Sequence, residues 1–313
     1  MITNCLYCYN PLNANDKDFH SNCSKKIFGE SVPPTLEFAE SELENLAQDI
    51  INNQTTVTGV QPKLSLHITN KKDTVVKRFT IVGLWGGYIL KTPSIHYPQL
   101  PEVEDLTMHL ASIAKLKVVP HSLIRLQSGN LAYITKRIDR VKKKKLPMED
   151  MCQLTERLTE DKYNGSYEQI IKTIQKFSVT PGLDVINFLE VLVFSFLTGN
   201  ADMHLKNFSL ILNPNLGMVL SPAYDLVATA LVNPADKEEM ALTLNGKKKK
   251  IKKTDFIAAF NMFKLDEKQQ QNIFSKFIKC KSKWFTQIDN SFISLENKKV
   301  YKNLLDERFS RFA

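Results

Sequence analysis

The sequence predicts an α+β chain in two lobes, a strand-rich half followed by a helical half. Three observations lead there. Short strand-like runs with a single intervening helix fill residues 61–138, helical periodicity dominates after Arg140, and a polar loop, "TGNADMHLKNF", closes a long apolar segment. A chain of 313 residues is long enough to bury two such cores. The expected organisation is a small Cys/His module over 1–30, an N-lobe over 31–140 and a C-lobe over 141–313.

In chain order, the polar first segment leads into the linker "GESVPPTLEF", where Pro33 and Pro34 stop regular structure. Glu37 to Asn52 reads as a helix. The runs "KLSLHI", "TVVKRF", "GGYILK", "HSLIRL" and "LAYITKRI" alternate with period two or carry β-branched residues, as strands do. Between them, "EVEDLTMHLASIAKL" sets Leu106, Leu110, Ile113 and Ala114 on one helical stripe behind an acidic first turn. Asp184 to Leu197 is apolar nearly all round, which predicts a buried central helix. "NFSLIL" and "MVLSPAYDL" predict a hairpin turning at "NPNLG", and helices from Thr254 onward close the chain.

Composition narrows the function classes. Hydrophobic residues at 43% and charged residues at 24% are ordinary for a soluble globular protein, and the greasiest run, Val185 to Leu197, is too short to span a bilayer. The start "MITNCLYCYN" has neither a basic head nor an apolar signal core, and five scattered cysteines make no disulfide framework. The reducing cytoplasm is the expected compartment, without membrane association. The net charge of +9 sits largely in two runs, Lys142 to Lys145 and Lys247 to Lys253, which lack interleaved aromatics. They read first as solvated loops and second as an attraction for an acidic or nucleic-acid partner.

The polar loop carries the chemistry. Phosphoryl transfer needs a proton acceptor at the attacking hydroxyl, oxygen ligands for magnesium and a cation on the phosphates. Asp202 can supply the acceptor and Asn207, five positions on, one metal ligand. The hairpin would return Asp225 beside Asn207 as a second ligand. Lys91 ends a strand-like run thirteen residues ahead of Glu104 in the following helix, the spacing of a phosphate-gripping lysine and its orienting glutamate. Blander readings exist for each: an Asx-turn over Asn200 to Asp202, an N-cap at Asp225, and a solvent-facing strand-end lysine at Lys91. The order of the halves and the joint occurrence of these groups favour a kinase fold, in which nucleotide lies in the cleft between the lobes. The His-Arg usual ahead of the aspartate in kinase catalytic loops is missing.

At the N-terminus, Cys5 and Cys8 form a C-x2-C pair and His20 and Cys23 an H-x2-C pair. Two tight pairs of soft ligands are how a small knuckle holds tetrahedral zinc. Short modules also bury cysteines without metal, and both readings stand at this point.

The segments "TTVTGVQPKLSL", "YILKTP", "EVEDLTMHLA", "ITKRIDR", "LPMEDMCQLT" with "KYNG", "GNADMHLKNFSL" and "SPAYDLVAT" resemble, in order and spacing, the motifs of HipA-type serine/threonine kinases. These are the toxins of bacterial toxin–antitoxin systems. The resemblance runs over about residues 50–240. The chain lacks a segment resembling the N-terminal subdomain of full-length HipA, and is in this similar to the compact HipT kinases of HipBST systems, where a separate small protein takes that part.

The resemblance implies a two-lobed protein-kinase-like fold, with ATP and magnesium as cofactors. It implies Asp202 as catalytic base, Asn207 and Asp225 as magnesium ligands, and His204 and Lys206 beside the phosphates. Lys91, oriented by Glu104, would hold the α- and β-phosphates. The backbone of Lys136 and Ile138 would meet adenine, with Asp139 toward the ribose. Lys136 stands where the family usually has glutamate. "TTVTGVQPK" would cover the phosphates with backbone amides and Lys63, having only Gly59 where other kinases use three glycines. The family autophosphorylates in this loop, which places the modification at Thr56 or Thr58, threonines where the family has serine.

The implied substrate is a protein, an aminoacyl-tRNA synthetase of the tryptophanyl or glutamyl type, whose modification stalls translation. The implied partners are HipS-like and HipB-like antitoxins, with DNA reached only through the antitoxin. Two readings from other classes remain: a nucleic-acid-binding regulator on a kinase-like scaffold, and an atypical kinase acting on a lipid or small molecule.

Overall fold

Alternating apolar residues pair into an antiparallel sheet in the computed structural model, which describes residues 4–43, 45–46, 63–70, 76–82, 85–141 and 144–312. The chain divides into two compact units. One comprises Met1–Asp105, Val119–Lys144 and Asn290–Phe292, and the other Leu106–Val118, Lys145–Asp289 and Ile293–Ala313.

The first unit opens with helix α1, Ser21–Phe28, which stops at Gly29 (φ 79°) in the left-handed conformation that costs glycine least. Strand β1, Lys63–Asn70, buries Leu64 and Leu66 and exposes Lys63 and His67, the period of a half-buried strand. It pairs with β2, Lys77–Ile81, and with β3, Tyr88–Lys91. Beyond β3 lie β5, Leu131–Lys136, and β4, His121–Arg125, giving the five-stranded order β2-β1-β3-β5-β4. Strand β3 ends at Lys91 because Pro93 cannot continue a ladder. Phe28 meets Phe19 and Phe79 edge-to-face at 5.4 and 5.6 Å, which packs the N-terminal segment on the sheet. Helix α2, Leu100–Ile113, starts in this unit. Of the helix expected over Glu37 to Asn52, residues 40–43 and 45–46 are helical, and residues 44 and 47–52 lie outside the described ones.

The second unit holds the rest of α2 from Leu106 and resumes at Lys145, ahead of β6, Met148–Asp150, a strand with no clear alternation in sequence. It pairs with β7, Ser209–Asn213, the first arm of the hairpin whose second arm is β8, Gly217–Leu220. Strand β8 is shorter than its apolar run because Pro222 offers no ladder donor. Helices α3, Met151–Leu154, and α4, Tyr167–Phe177, precede α5, Pro181–Leu197, whose first turn carries Pro181.

Helix α5 is the core of this unit: Phe188, Leu189, Leu192, Phe194, Phe196 and Leu197 are fully buried. Its buried Asp184 accepts from Ser178 Oγ at 2.5 Å, Thr180 Oγ1 at 3.1 Å and the Leu220 N–H at 2.8 Å, and so locks the helix to the hairpin. After a single turn α6, Thr229–Val232, come α7, Lys253–Met262, α8, Glu267–Ile278, α9, Lys281–Asn290, and α10, Leu295–Ser310. Buried Trp284 donates from Nε1 to Leu110 O at 2.9 Å. The second lysine run is partly paired, Lys247 with Asp255 at 2.7 Å and Lys248 with Glu238 at 3.8 Å. Among the described residues no helix is long and apolar enough to cross a membrane.

Candidate active site

The polar loop begins where α5 stops. Thr198 Oγ1 turns back onto Phe194 O at 2.9 Å, and Gly199 takes φ 69°. A Cβ at Gly199 would lie 2.6 Å from Leu304 Cδ2 and 3.0 Å from Ala230 Cβ, so both conformation and space call for glycine here. Asn200 Oδ1 then accepts the Asp202 N–H at 3.1 Å, which is the Asx-turn. That turn is therefore present, and it fixes the backbone at Asp202.

From Asp202 the chain folds over itself. The N–H of His204 donates to Asp202 O at 2.8 Å, and a 3-10 turn over Leu205–Asn207 follows. Asn207 donates from Nδ2 to the same Asp202 carbonyl at 2.8 Å. This fixes the amide with Oδ1 as its remaining group, and no described residue donates to that oxygen. The loop is anchored from outside by Leu205 N–H on Lys162 O at 3.1 Å and Tyr167 Oη on Met203 O at 3.1 Å.

The Asp202 carboxylate accepts from Tyr163 Oη at 2.6 Å. Burial and the neighbouring carboxylate push the Tyr163 phenol well up, so it stays a donor. The Tyr163 ring meets His204 edge-on at 5.0 Å. Burial pulls the His204 imidazole below its usual range, outweighing the opposite pull of the Asp202 and Asp225 charges, so it is neutral at physiological pH. Its Nδ1 is buried without a hydrogen-bond partner among the described residues. Lys206 is held by Asp150, Nζ to Oδ2 at 2.8 Å, while Asp150 Oδ1 caps α3 through the Gln153 N–H at 3.0 Å.

Asp225 follows the hairpin with φ 56°, a conformation uncommon outside glycine and tolerated by aspartate. It caps no helix; the cap residue of α6 is Ala228. Its neighbour Tyr224 hydrogen-bonds Ser209 Oγ and donates to Lys206 O at 3.0 Å. These bonds bring residue 225 back to the start of the hairpin, and its charge reaches His204. Chemically, this unit offers a proton-accepting carboxylate and two further hard oxygen donors, an amide and a carboxylate, of the kind magnesium takes.

In the first unit, Lys91 Nζ lies 2.6 Å from Glu104 Oε1, with side chains only 6% and 1% exposed. The ammonium also stands 5.4 Å above the Tyr133 ring. Exposed Lys63 is directly opposite Lys91 in the ladder. At the end of β5 the Lys136 N–H is spent on Pro120 O at 2.9 Å, and among the described residues none accepts from the Ile138 N–H. The segment thus has a donor at Ile138, while the expected adenine contact at Lys136 would fall to its carbonyl. Asp139 is clamped by Arg137, Nη2 to Oδ2 at 2.9 Å, and by Arg140. Burial would raise its pKa, but the two guanidinium groups win and hold it below the usual carboxylate range. A ribose hydroxyl would have to share that carboxylate.

Thr56, Thr58 and Gly59 lie outside the described residues. The four N-terminal ligand candidates come together, their ligand atoms all within 4.8 Å of one another. Sequence reasoning missed Tyr163, although it lies in the quoted "KYNG" segment, and it missed Asp150, Arg137 and Arg140 as partners of Lys206 and Asp139.

The chain is similar to known kinases. It is 34% identical over 213 residues to the Sinorhizobium fredii protein named "Putative kinase Y4dM", a match covering 64% of this chain and 50% of that one. It thus spans about half the length of that relative. Its fold is similar to HipA of Shewanella oneidensis, solved with HipB and operator DNA, with TM-score 0.67 and 21% identity over 86% of this chain and 70% of that one. It is also similar to the Helicobacter pylori proinflammatory kinase CtkA, with TM-score 0.54 and 18% identity over 78% of this chain and 93% of that one. These likenesses establish a two-lobed kinase-like fold, with an antiparallel sheet in the N-lobe and a helical C-terminal part. The family model for the HipA-like C-terminal domain matches residues 55–284, and the chain belongs to that family.

Proposed function

We propose that the chain is an ATP- and magnesium-dependent serine/threonine protein kinase, a toxin of the HipT kind that arrests growth. The observation that carries this reading is the fold of the loop on itself. Donation from Asn207 Nδ2 to Asp202 O leaves Asn207 Oδ1 as an open acceptor five residues after a carboxylate held by Tyr163. In this reading Asp202 takes the proton of the attacking hydroxyl, and Asn207 with Asp225 holds magnesium, which would neutralise the phosphate oxygens. Lys91, kept in place by Glu104, binds the α- and β-phosphates, with Lys63 and the 55–63 loop covering them. Lys136 O and Ile138 N–H meet the adenine. His204 acts as a neutral neighbour of the phosphates, and Lys206 supports the loop through Asp150.

The substrate in this reading is an aminoacyl-tRNA synthetase in the cytoplasm, of the tryptophanyl or glutamyl type. HipS-like and HipB-like proteins are the antitoxins, and Thr56 or Thr58 receives the inhibitory autophosphate. Such a phosphate adds about two negative charges and repels those of the nucleotide.

Asp202→Ala and Asp225→Ala should each abolish phosphate transfer and growth arrest. Labelled ATP offered with a cell lysate, followed by mass spectrometry, should place the label on a protein serine or threonine. Toxicity retained in both variants, or label found only on lipid or a small molecule, would refute the proposal.

A further inference from the structure

We propose that Cys5, Cys8, His20 and Cys23 form a tetrahedral zinc site that fastens the N-terminal segment to the five-stranded sheet. The inference stands on the geometry of the first unit and is independent of the kinase reading.

Local structure delivers the ligands as two pairs. The Tyr9 N–H donates to Cys5 O at 2.9 Å and the Cys5 N–H to Asn10 O at 2.8 Å, closing a turn at Tyr9 (φ 64°) that carries Cys5 and Cys8. His20 is the N-cap residue of α1 and Cys23 lies in its first turn, the Cys23 N–H donating to His20 O at 2.9 Å. His20 Nδ1 then lies 3.5 Å from Cys8 Sγ and 3.7 Å from Cys23 Sγ. Zinc–sulfur bonds of about 2.3 Å and zinc–nitrogen bonds of about 2.0–2.1 Å at a tetrahedral angle separate sulfur and nitrogen by about 3.6 Å. The observed separations are those of one shared ion.

The tautomer agrees. His20 Nε2 is 2.9 Å from Pro11 O, so the proton sits on Nε2 and the Nδ1 lone pair points among the sulfurs. A ring N–H on a backbone carbonyl is the usual outer support of a metal-bound histidine. The thiols are free, with Cys5 and Cys23 buried and Cys8 half-buried, so no disulfide consumes the set. Three sulfurs and one imidazole in a small tetrahedral cluster select zinc over hard cations.

The same segment is bonded to the sheet and to α2. Leu6 O accepts from the Leu123 N–H at 3.3 Å and from Ser122 Oγ at 3.1 Å, both on β4. Tyr9 Oη donates to Asp105 Oδ2 at 2.7 Å, and Asp105 Oδ1 lies 2.6 Å from His121 Nδ1. Ile27 O accepts from Tyr88 Oη at 3.1 Å. Zinc would therefore fix the turn whose next residue, Tyr9, holds Asp105, the neighbour of Glu104.

The test uses the full chain, purified without chelator. Elemental analysis should find about one zinc per chain. Cys8→Ser and His20→Ala should lower it severalfold, whereas Cys280→Ser, outside the cluster, should keep it. For ligand variants that fail to fold, cobalt(II) exchanged into the wild-type chain supplies the second readout, through visible bands of tetrahedral thiolate coordination. Chelation should lower the melting temperature and the hydrogen-exchange protection of β4. Wild-type protein lacking zinc, a different metal in its place, or a disulfide among the three cysteines would overturn the site. Unchanged β4 protection after complete zinc removal would overturn its fastening role.

Discussion

Replacing Lys91 by methionine removes one partner of a pair that water hardly reaches. At 2.6 Å, and with an effective dielectric constant of about 20, the attraction between Lys91 and Glu104 is about 6 kcal/mol. Desolvating two ions costs several kcal/mol each, so the intact pair is worth little net stability. The single substitution is another matter. It leaves the Glu104 carboxylate 1% exposed without its cation, at a cost of about 3–5 kcal/mol. The double variant Lys91→Met/Glu104→Leu removes both charges and should return to within about 1–2 kcal/mol of wild type. Urea unfolding followed by far-UV circular dichroism measures all corners of the cycle, and nucleotide binding by a fluorescent ATP analogue gives a separate readout. On the proposed role of Lys91, binding should be lost in the single and the double variant alike, because the repaired core still lacks that ammonium. A single variant destabilised by less than about 1 kcal/mol, or a double variant destabilised by the sum of the singles, would refute the reasoning.

Two further outcomes follow from neighbouring groups. Tyr163→Phe deletes the 2.6 Å bond to Asp202 on a residue that is 42% exposed, so about 1 kcal/mol is at stake, and kcat should fall about fivefold with KM for ATP unchanged. A raised KM with kcat intact would mean that Tyr163 does not position Asp202. Glu102 is pushed up to about 7 from its ordinary 4.5, by burial and then by the Asp105 charge against an opposing backbone hydrogen bond. Its contribution to stability is therefore fully present below about pH 4.5 and is lost as pH rises through about 7. Glu102→Gln should remove that loss and gain about 1–2 kcal/mol at pH 8, the full linkage value being discounted because the side chain is partly exposed. Parallel melting-temperature profiles for the two proteins between pH 4.5 and 8 would reject the assignment.

The sequence made the fold legible where one period dominated. Strand β1 alternates, α5 is apolar nearly all round, and both lie where the pattern puts them. Strand β6 was not legible, since three residues of mixed polarity carry no period; it exists through its pairing with β7. The candidate site divides in the same way. The five-residue spacing of Asp202 and Asn207 and the thirteen-residue spacing of Lys91 and Glu104 are local, and the chain closes both over short paths. The partners of those groups are distant in sequence. Tyr163 lies 39 positions from Asp202 and Asp150 lies 56 from Lys206, separations that no residue pattern announces.

These distant partners change the chemistry attributable to the loop. Lys206, which the resemblance places beside the phosphates, has its ammonium paired with Asp150, whose other oxygen caps a helix. His204, which the resemblance places beside the phosphates, is kept neutral by burial. Asn207 spends its donor on a backbone carbonyl and keeps its acceptor. Subtracting the groups the fold has already engaged leaves oxygen acceptors at Asp202 and Asn207, with Asp225 carried back to them by the hairpin. These are oxygen groups of the kind a hard cation takes, and the expected phosphate cation lies elsewhere in the chain. In the proposed reading that cation is Lys91 of the first unit, its ammonium held 2.6 Å from the Glu104 carboxylate.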